Sequence, residues 1–96
     1  MTGLARLAVR EAVEITPSGG QRMIAVDAVV PGMVLRVAAG ERIPVDVRIV
    51  AGATDLDRAL VTGESSPVSV RTGCEIEAGA LNLTGPIDAV VLRPVS

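Results

Sequence analysis

The chain of 96 residues has no phenylalanine, tyrosine or tryptophan, and it has no histidine and no lysine. Without aromatic rings, its core must be built from aliphatic side chains. Valine is the most frequent of these, and β-branched residues favour pleated sheet over helix. Cys74 is the only cysteine, so an internal disulfide is excluded, and the thiol fits a reducing compartment. We expect Cys74 to be a small buried hydrophobic side chain.

Strong charge and long apolar runs are missing as well. The net charge is −2, which predicts no general attraction to nucleic acid or to anionic lipid. No apolar run approaches the roughly 18 residues that a membrane-spanning helix needs, and no signal peptide is visible. The length suits one small domain with one modest core. We therefore expect a soluble domain that is monomeric in isolation.

Strand signals dominate the pattern. A short helical lead-in is predicted between Leu4 and Val9, where the apolar residues share one helical face. Turn residues then interrupt the chain at intervals of about 8–12 residues, which is typical of an antiparallel sandwich. The predicted fold class is mainly β, a distorted antiparallel β-sandwich or jelly roll. The predicted strands cover residues 13–16, 22–26, 33–38, 45–51, 54–57, 68–70, 74–83 and 87–95.

The most informative segment is Thr62-Gly63-Glu64-Ser65. Glycine permits a tight turn, and a loop tip is where functional groups tend to lie. A carboxylate held on such a turn, with a hydroxyl on either side, can orient and polarise a water molecule. The alternative interpretation is an ordinary polar hairpin turn.

Two further segments flank this loop in the sequence, Gly-Glu-Arg-Ile-Pro-Val-Asp at 40–46 and Gly-Ala-Leu-Asn-Leu-Thr-Gly at 79–85. Their order and spacing resemble the actuator domain of P-type ATPases, most closely in the heavy-metal, copper-type branch. Asn-Leu-Thr-Gly-Pro at 82–86 is also similar to copper pumps that serve cytochrome oxidase assembly. The structural motif positions are Gly40, Pro44, Asp46, Gly79, Asn82 and Gly85. The resemblance implies that residues 1–10 link to a preceding membrane helix and that 11–96 form the actuator domain.

In that family, an aspartate on another domain is phosphorylated by ATP, and the actuator domain then rotates its loop over the aspartyl phosphate. By resemblance, Glu64 positions and polarises the attacking water, while Thr62 and Gly63 shape the loop and bring backbone groups near the phosphate. The loop-supporting residues are Ser65, Pro67 and Asp57. The resemblance also implies that this domain binds no metal and no cofactor, and that ATP and Mg²⁺ bind to other domains of the parent protein.

The resemblance also implies partners and a location. The partners are the phosphorylation and nucleotide-binding domains and the membrane helices of the same polypeptide. The location is the cytoplasmic side of an integral protein of a bacterial inner membrane. The isolated domain is expected not to turn over. The sequence departs from the family pattern at Met33, Val47 and Arg58-Ala59, and none of these departures touches Glu64.

Other charged residues have simpler interpretations. Glu41 and Asp46 form a poor transition-metal site without histidine or cysteine. We expect Glu41 in a solvated turn and Asp46 bonded to loop backbone. Glu75 and Glu77 are expected on a solvated strand face by alternation. For Arg48, Arg58 and Arg71, contact with partner domains and contact with phosphate both stay open.

Two other functions stay open from sequence. A plain β-sandwich interaction module would leave Glu64 as a surface residue without a role in turnover. A self-contained hydrolase is disfavoured, because the chain offers no histidine, no activated nucleophile and no metal cluster.

Overall fold

A computed structural model describes residues 11–93, and within that range the chain forms nine strands and two short helical segments. Every strand pairing is antiparallel, which confirms the predicted mainly β class. The elements are β1 (Glu11–Ile15), β2 (Gln21–Ala25), a 3₁₀ turn (Val26–Ala28), β3 (Val34–Val37), β4 (Asp46–Ala51), β5 (Ala53–Asp57), α1 (Ala59–Thr62), β6 (Val68–Arg71), β7 (Glu75–Ile76), β8 (Leu81–Asn82) and β9 (Ile87–Arg93). The predicted helical lead-in at 4–9 lies outside the described residues. Between Glu11 and Arg93, no helix has the length and apolarity to span a bilayer.

The strands form two sheets. The larger has the order β2-β1-β3-β9-β4-β7, and the smaller has the order β6-β5-β8. The chain passes from one sheet to the other at Gly52, between β4 and β5. Gly52 has φ +102°, and a Cβ atom there would lie 2.9 Å from the carbonyl oxygen of Pro86. Glycine is therefore required at this corner by backbone conformation and by close approach.

The core is aliphatic throughout, as the absence of aromatic residues requires. In β4, Val47 and Ile49 are buried and Arg48 between them is exposed. In β9, Ile87, Ala89 and Val91 alternate inward in the same way. The sequence pattern of β9 did not assign its faces; the burial of alternate residues in the structure does. Cys74 is half-buried against this core, so it is less enclosed than we predicted.

The single strand predicted at 74–83 is wrong. The chain forms β7, turns over residues 77–80, and continues as β8 in the other sheet. The hydrogen bond from the Gly79 amide to the carbonyl of Ile43 (2.8 Å) takes the chain out of the larger sheet, and Gly79 has φ +98°. Glu77 therefore lies in a turn and not on a strand face. The prediction failed because apolar content continues through the turn.

A buried polar cluster connects the two sheets. The Asn82 side chain is fully buried. Its amide donates to the carbonyl oxygens of Val37 (3.0 Å) and Gly85 (2.8 Å), and its Oδ1 accepts from the Thr54 hydroxyl (2.6 Å). Asn82 thereby joins the end of β3, strand β5 and the turn that precedes β9. Such a side chain is stable in the interior because its polar atoms are paired.

Candidate functional site

The segment that carries Thr62 begins as a short helix, which the sequence analysis did not predict. Asp57 Oδ1 accepts the amide hydrogen of Ala59 (2.8 Å) and caps the start of α1. The amide of Gly63 donates to the carbonyl of Ala59 (2.8 Å), and Gly63 ends the helix in the left-handed conformation at φ +82°. The predicted glycine turn is thus the C-terminal cap of a four-residue helix.

Thr62 connects this cap to Glu64. Its hydroxyl donates to the carbonyl oxygen of Arg58 (3.1 Å) and accepts from the amide of Glu64 (3.2 Å). One hydroxyl therefore ties the backbone of Glu64 to the first turn of α1. The loop from Thr62 to Pro67 is exposed, so the Glu64 carboxylate is held on a defined backbone and is open to solvent.

Ser65 and Pro67 lie on the exposed segment that leads into β6. Within residues 11–93, no side-chain hydrogen bond involves Ser65. Its loop-supporting role and that of Pro67 stay predictions. The Glu64 carboxylate can accept hydrogen bonds and a proton from a group that approaches the exposed loop.

The sequence comparison identifies the family. The family described as the P-type ATPase actuator domain matches residues 7–96. The chain belongs to this family of actuator domains. Relatives at 54% and 39% identity, each aligned over more than nine-tenths of the chain, agree with this assignment.

The first of these relatives is the nitrogen fixation protein FixI of Rhizobium meliloti, 54% identical over 91% of this chain and 12% of its own length. The second is a probable cobalt/nickel-exporting P-type ATPase of Mycobacterium bovis, 39% identical over 98% of this chain and 14% of its own length. A crystal structure of a zinc-transporting PIB-type ATPase in an E2.Pi state superposes with a TM-score of 0.85 and 32% identity, over 92% of this chain and 14% of that protein. The chain thus spans about an eighth of the length of such relatives.

The actuator domain brings two of its motif segments, 40–46 and 79–85, together. The amide of Gly40 donates to the carbonyl of Asn82 (2.7 Å), and the side-chain amide of Asn82 reaches the carbonyl of Gly85. Arg42 bridges Leu81 in a short antiparallel contact, and Pro44 is half-buried next to it. The segments at 40–46 and 79–85 therefore form one paired unit, although they are far apart in the sequence.

Asp46 is bonded as the sequence analysis expected, to loop backbone. Its Oδ1 accepts the amide hydrogen of Ala78 (2.9 Å), and its Oδ2 accepts from Nε of Arg93 (2.9 Å). These two hydrogen bonds, that of Ala78 foremost, hold the pKa of Asp46 below its usual value. Glu41 is exposed and accepts the amide hydrogen of Ala38 (2.9 Å). Among residues 11–93, no group of three or more potential metal ligands is present.

We expect the lowered pKa of Asp46 to make the stability of the actuator domain depend on pH. In acid, the unfolded chain takes up the proton of Asp46 before the native protein does. The contribution of this residue is therefore complete above the unfolded pKa of about 4 and is lost as the pH falls through the lower native value. In Asp46→Asn, the unfolding free energy, measured by urea denaturation, should fall less steeply below pH ~4 than in the wild type.

The matched variant is Arg93→Gln, which removes the ion pair and keeps the hydrogen bond from Ala78. Its pH dependence should lie between those of the wild type and Asp46→Asn. Equal slopes in all three proteins would contradict the assignment.

Sequence reasoning missed one ion pair at the site. Arg58, at the start of α1, bonds through its guanidinium to the Glu77 carboxylate in the turn between β7 and β8. From sequence, the partner of Arg58 stayed open and Glu77 was expected on a solvated strand face. The two residues are 19 positions apart on unpaired elements, so no local pattern connects them.

Proposed function

We propose that Glu64 positions and polarises the water that hydrolyses an aspartyl phosphate on another domain of a heavy-metal P-type ATPase. The observation that carries this proposal is the Thr62 hydroxyl, which fixes the backbone of Glu64 at the helix end while its carboxylate stays exposed. Membership of the actuator family supports the same role. Thr62 and Gly63 shape the loop, and Asp57 caps its helix.

The chemistry suits an exposed carboxylate that is delivered from outside. Hydrolysis of an acyl phosphate needs a water aligned with phosphorus on the side opposite the leaving carboxylate, and its rate depends mainly on placement and electrostatics. Glu64 accepts a hydrogen bond from that water and takes its proton as the oxygen–phosphorus bond forms. The carboxylate must be away while phosphate is transferred from ATP and present afterwards. A stiff β-body that moves as a unit meets both needs.

The rest of the machinery belongs to the parent protein in this proposal. ATP and Mg²⁺ act on the nucleotide-binding and phosphorylation domains, where they supply the phosphoryl group that forms the intermediate. The partners of the actuator domain are those domains and the membrane helices, and it lies on the cytoplasmic side of a bacterial inner membrane. The isolated domain does not turn over. The direct test is breakdown of the phosphorylated intermediate in the Glu64→Gln variant of the full-length protein.

The proposed cargo is a copper-type cation, on the basis of the segments at 40–46 and 79–86. In membrane vesicles that contain the full-length protein, Cu⁺ should raise ATP hydrolysis several-fold, whereas Co²⁺, Ni²⁺ and Zn²⁺ should not. An ion site built from soft thiolate or thioether ligands would bind Cu⁺ in preference to the harder divalent ions. Vesicles from cells that express Glu64→Gln correct for background hydrolysis. Stimulation by a divalent cation alone would overturn the copper assignment and leave the role of Glu64 intact.

A further inference from the structure

Helix α1 has little packing of its own against the β-body. It contains four residues, and none of them is buried. Two contacts connect it to the turn at 77–80. One is the ion pair between Arg58 and Glu77, and the other is the approach of Val61 to Gly79, where a Cβ atom would lie 3.6 Å from Val61 Cγ2. The position of the helix is therefore set by few interactions.

The turn at 77–80, in contrast, is held to the β-body by hydrogen bonds on the side away from α1. The amide of Ala78 donates to Asp46 (2.9 Å), and the amide of Gly79 donates to the carbonyl of Ile43 (2.8 Å). The carbonyl oxygen of Gly79 accepts from Nη1 of Arg42 (2.9 Å). Three hydrogen bonds thus hold the backbone beside Glu77 to the body of the domain, so the Glu77 carboxylate is presented from a fixed support.

The other residue of the ion pair, Arg58, is hydrogen-bonded to the loop that carries Glu64. The carbonyl oxygen of Arg58 accepts from the amide (2.8 Å) and the hydroxyl (3.1 Å) of Thr62. The same hydroxyl accepts from the amide of Glu64. Displacement of Arg58 therefore displaces the backbone of Glu64 through two consecutive hydrogen-bond contacts.

We propose that Arg58 and Glu77 form a positioning pair that holds the Glu64 loop in place on the β-body for dephosphorylation. The inference rests on the proposed function of Glu64, and neither residue of the pair is a catalytic residue. The side chains of Arg58 and Glu77 are 33% and 53% exposed, and pairs this exposed contribute little to global stability. Their effect lies in geometry, because a displacement of about 1 Å at a reacting group can lower a rate about 100-fold.

The test compares breakdown of the phosphorylated intermediate in the full-length protein that carries this domain. The variants are Glu77→Gln, Arg58→Gln and the double variant, with Glu64→Gln as the reference for loss of the proposed catalytic group. Each single variant should form the intermediate at the wild-type rate and break it down about 10-fold more slowly, as expected for a modest displacement. Because the two residues act as one pair, the double variant should be no slower than the slower single variant.

Glu75→Gln is the matched control, since it removes an exposed carboxylate two residues from Glu77 and should keep the wild-type rate. The unfolding midpoint of the 96-residue chain, measured for each variant, should stay close to that of the wild type. Normal breakdown in both single variants while Glu64→Gln is blocked would overturn the positioning pair alone. Effects that multiply in the double variant would overturn it as well. Normal breakdown in Glu64→Gln would instead refute the proposed function.

Discussion

Glu64→Gln in the full-length protein should leave formation of the phosphorylated intermediate unchanged and slow its breakdown by about 10²–10⁴-fold, the usual contribution of a general base. Glutamine has nearly the same shape and can still accept a hydrogen bond from water through its amide oxygen. It cannot take the proton that the water loses. Glu64 is exposed, and surface substitutions usually change stability by less than about 0.5 kcal/mol, so a folding defect would not account for this effect.

The measurement is a pulse with radiolabelled ATP followed by a chase, with acid-stable label counted over time. Glu64→Asp is the matched variant. It keeps a carboxylate and withdraws it by one methylene, so its rate should lie between those of the wild type and Glu64→Gln. A wild-type rate of breakdown in Glu64→Gln would favour the alternative in which the domain is a β-sandwich interaction module without a catalytic role.

Asn82→Ala should destabilise the actuator domain by about 3 kcal/mol, which is a large part of the 5–15 kcal/mol typical of a small domain. The substitution removes the buried side-chain amide from which the carbonyl oxygens of Val37 and Gly85 accept, and it removes one of several partners of the Thr54 hydroxyl. A buried polar group without a partner costs about 1–3 kcal/mol, and the Asn82 side chain is fully buried. Urea denaturation of the 96-residue chain provides the measurement.

Two variants sharpen this test. Asn82→Asp keeps an acceptor for Thr54 but places a negative charge against two carbonyl oxygens, so at neutral pH it should be at least as unstable as Asn82→Ala. Leu83→Ala changes the neighbouring residue, which is 37% exposed, and should lose less than about 1 kcal/mol. An unfolding free energy of Asn82→Ala within about 0.5 kcal/mol of the wild type would refute the role of the buried amide in joining the sheets.

Local pattern predicted the parts of this structure whose causes are local. A strand was predicted at 45–51 and is found as β4, where Val47 and Ile49 are buried on one face because successive side chains of a strand point to opposite sides. Gly63 predicts a tight turn, since glycine enters the left-handed region without steric cost. The same reasoning failed between Cys74 and Leu83. Apolar residues there continue through a turn. Strands β7 and β8 have only two residues each, so no alternation marks where the chain leaves one sheet and enters the other.

The sequence also predicted the loop around Glu64 but not the helix that precedes it. The loop around Glu64 was recognisable from its residues and its neighbours in sequence, and membership of the actuator family agrees with that interpretation. The helix α1 was not recognisable, because a four-residue helix has no periodicity to detect. Its cap by Asp57 and its closure by Gly63 are visible only once the backbone path is known.

By itself, then, the sequence determined an aliphatic antiparallel β domain with one exposed acidic loop, since side-chain type and turn chemistry act over a few residues. Tertiary structure alone decided that Arg58 meets Glu77, that Asn82 meets Thr54, and that Asp46 meets both Ala78 and Arg93. The physical reason is that periodicity specifies which face of an element is apolar. Which distant polar groups meet across those faces depends on how the two sheets stack.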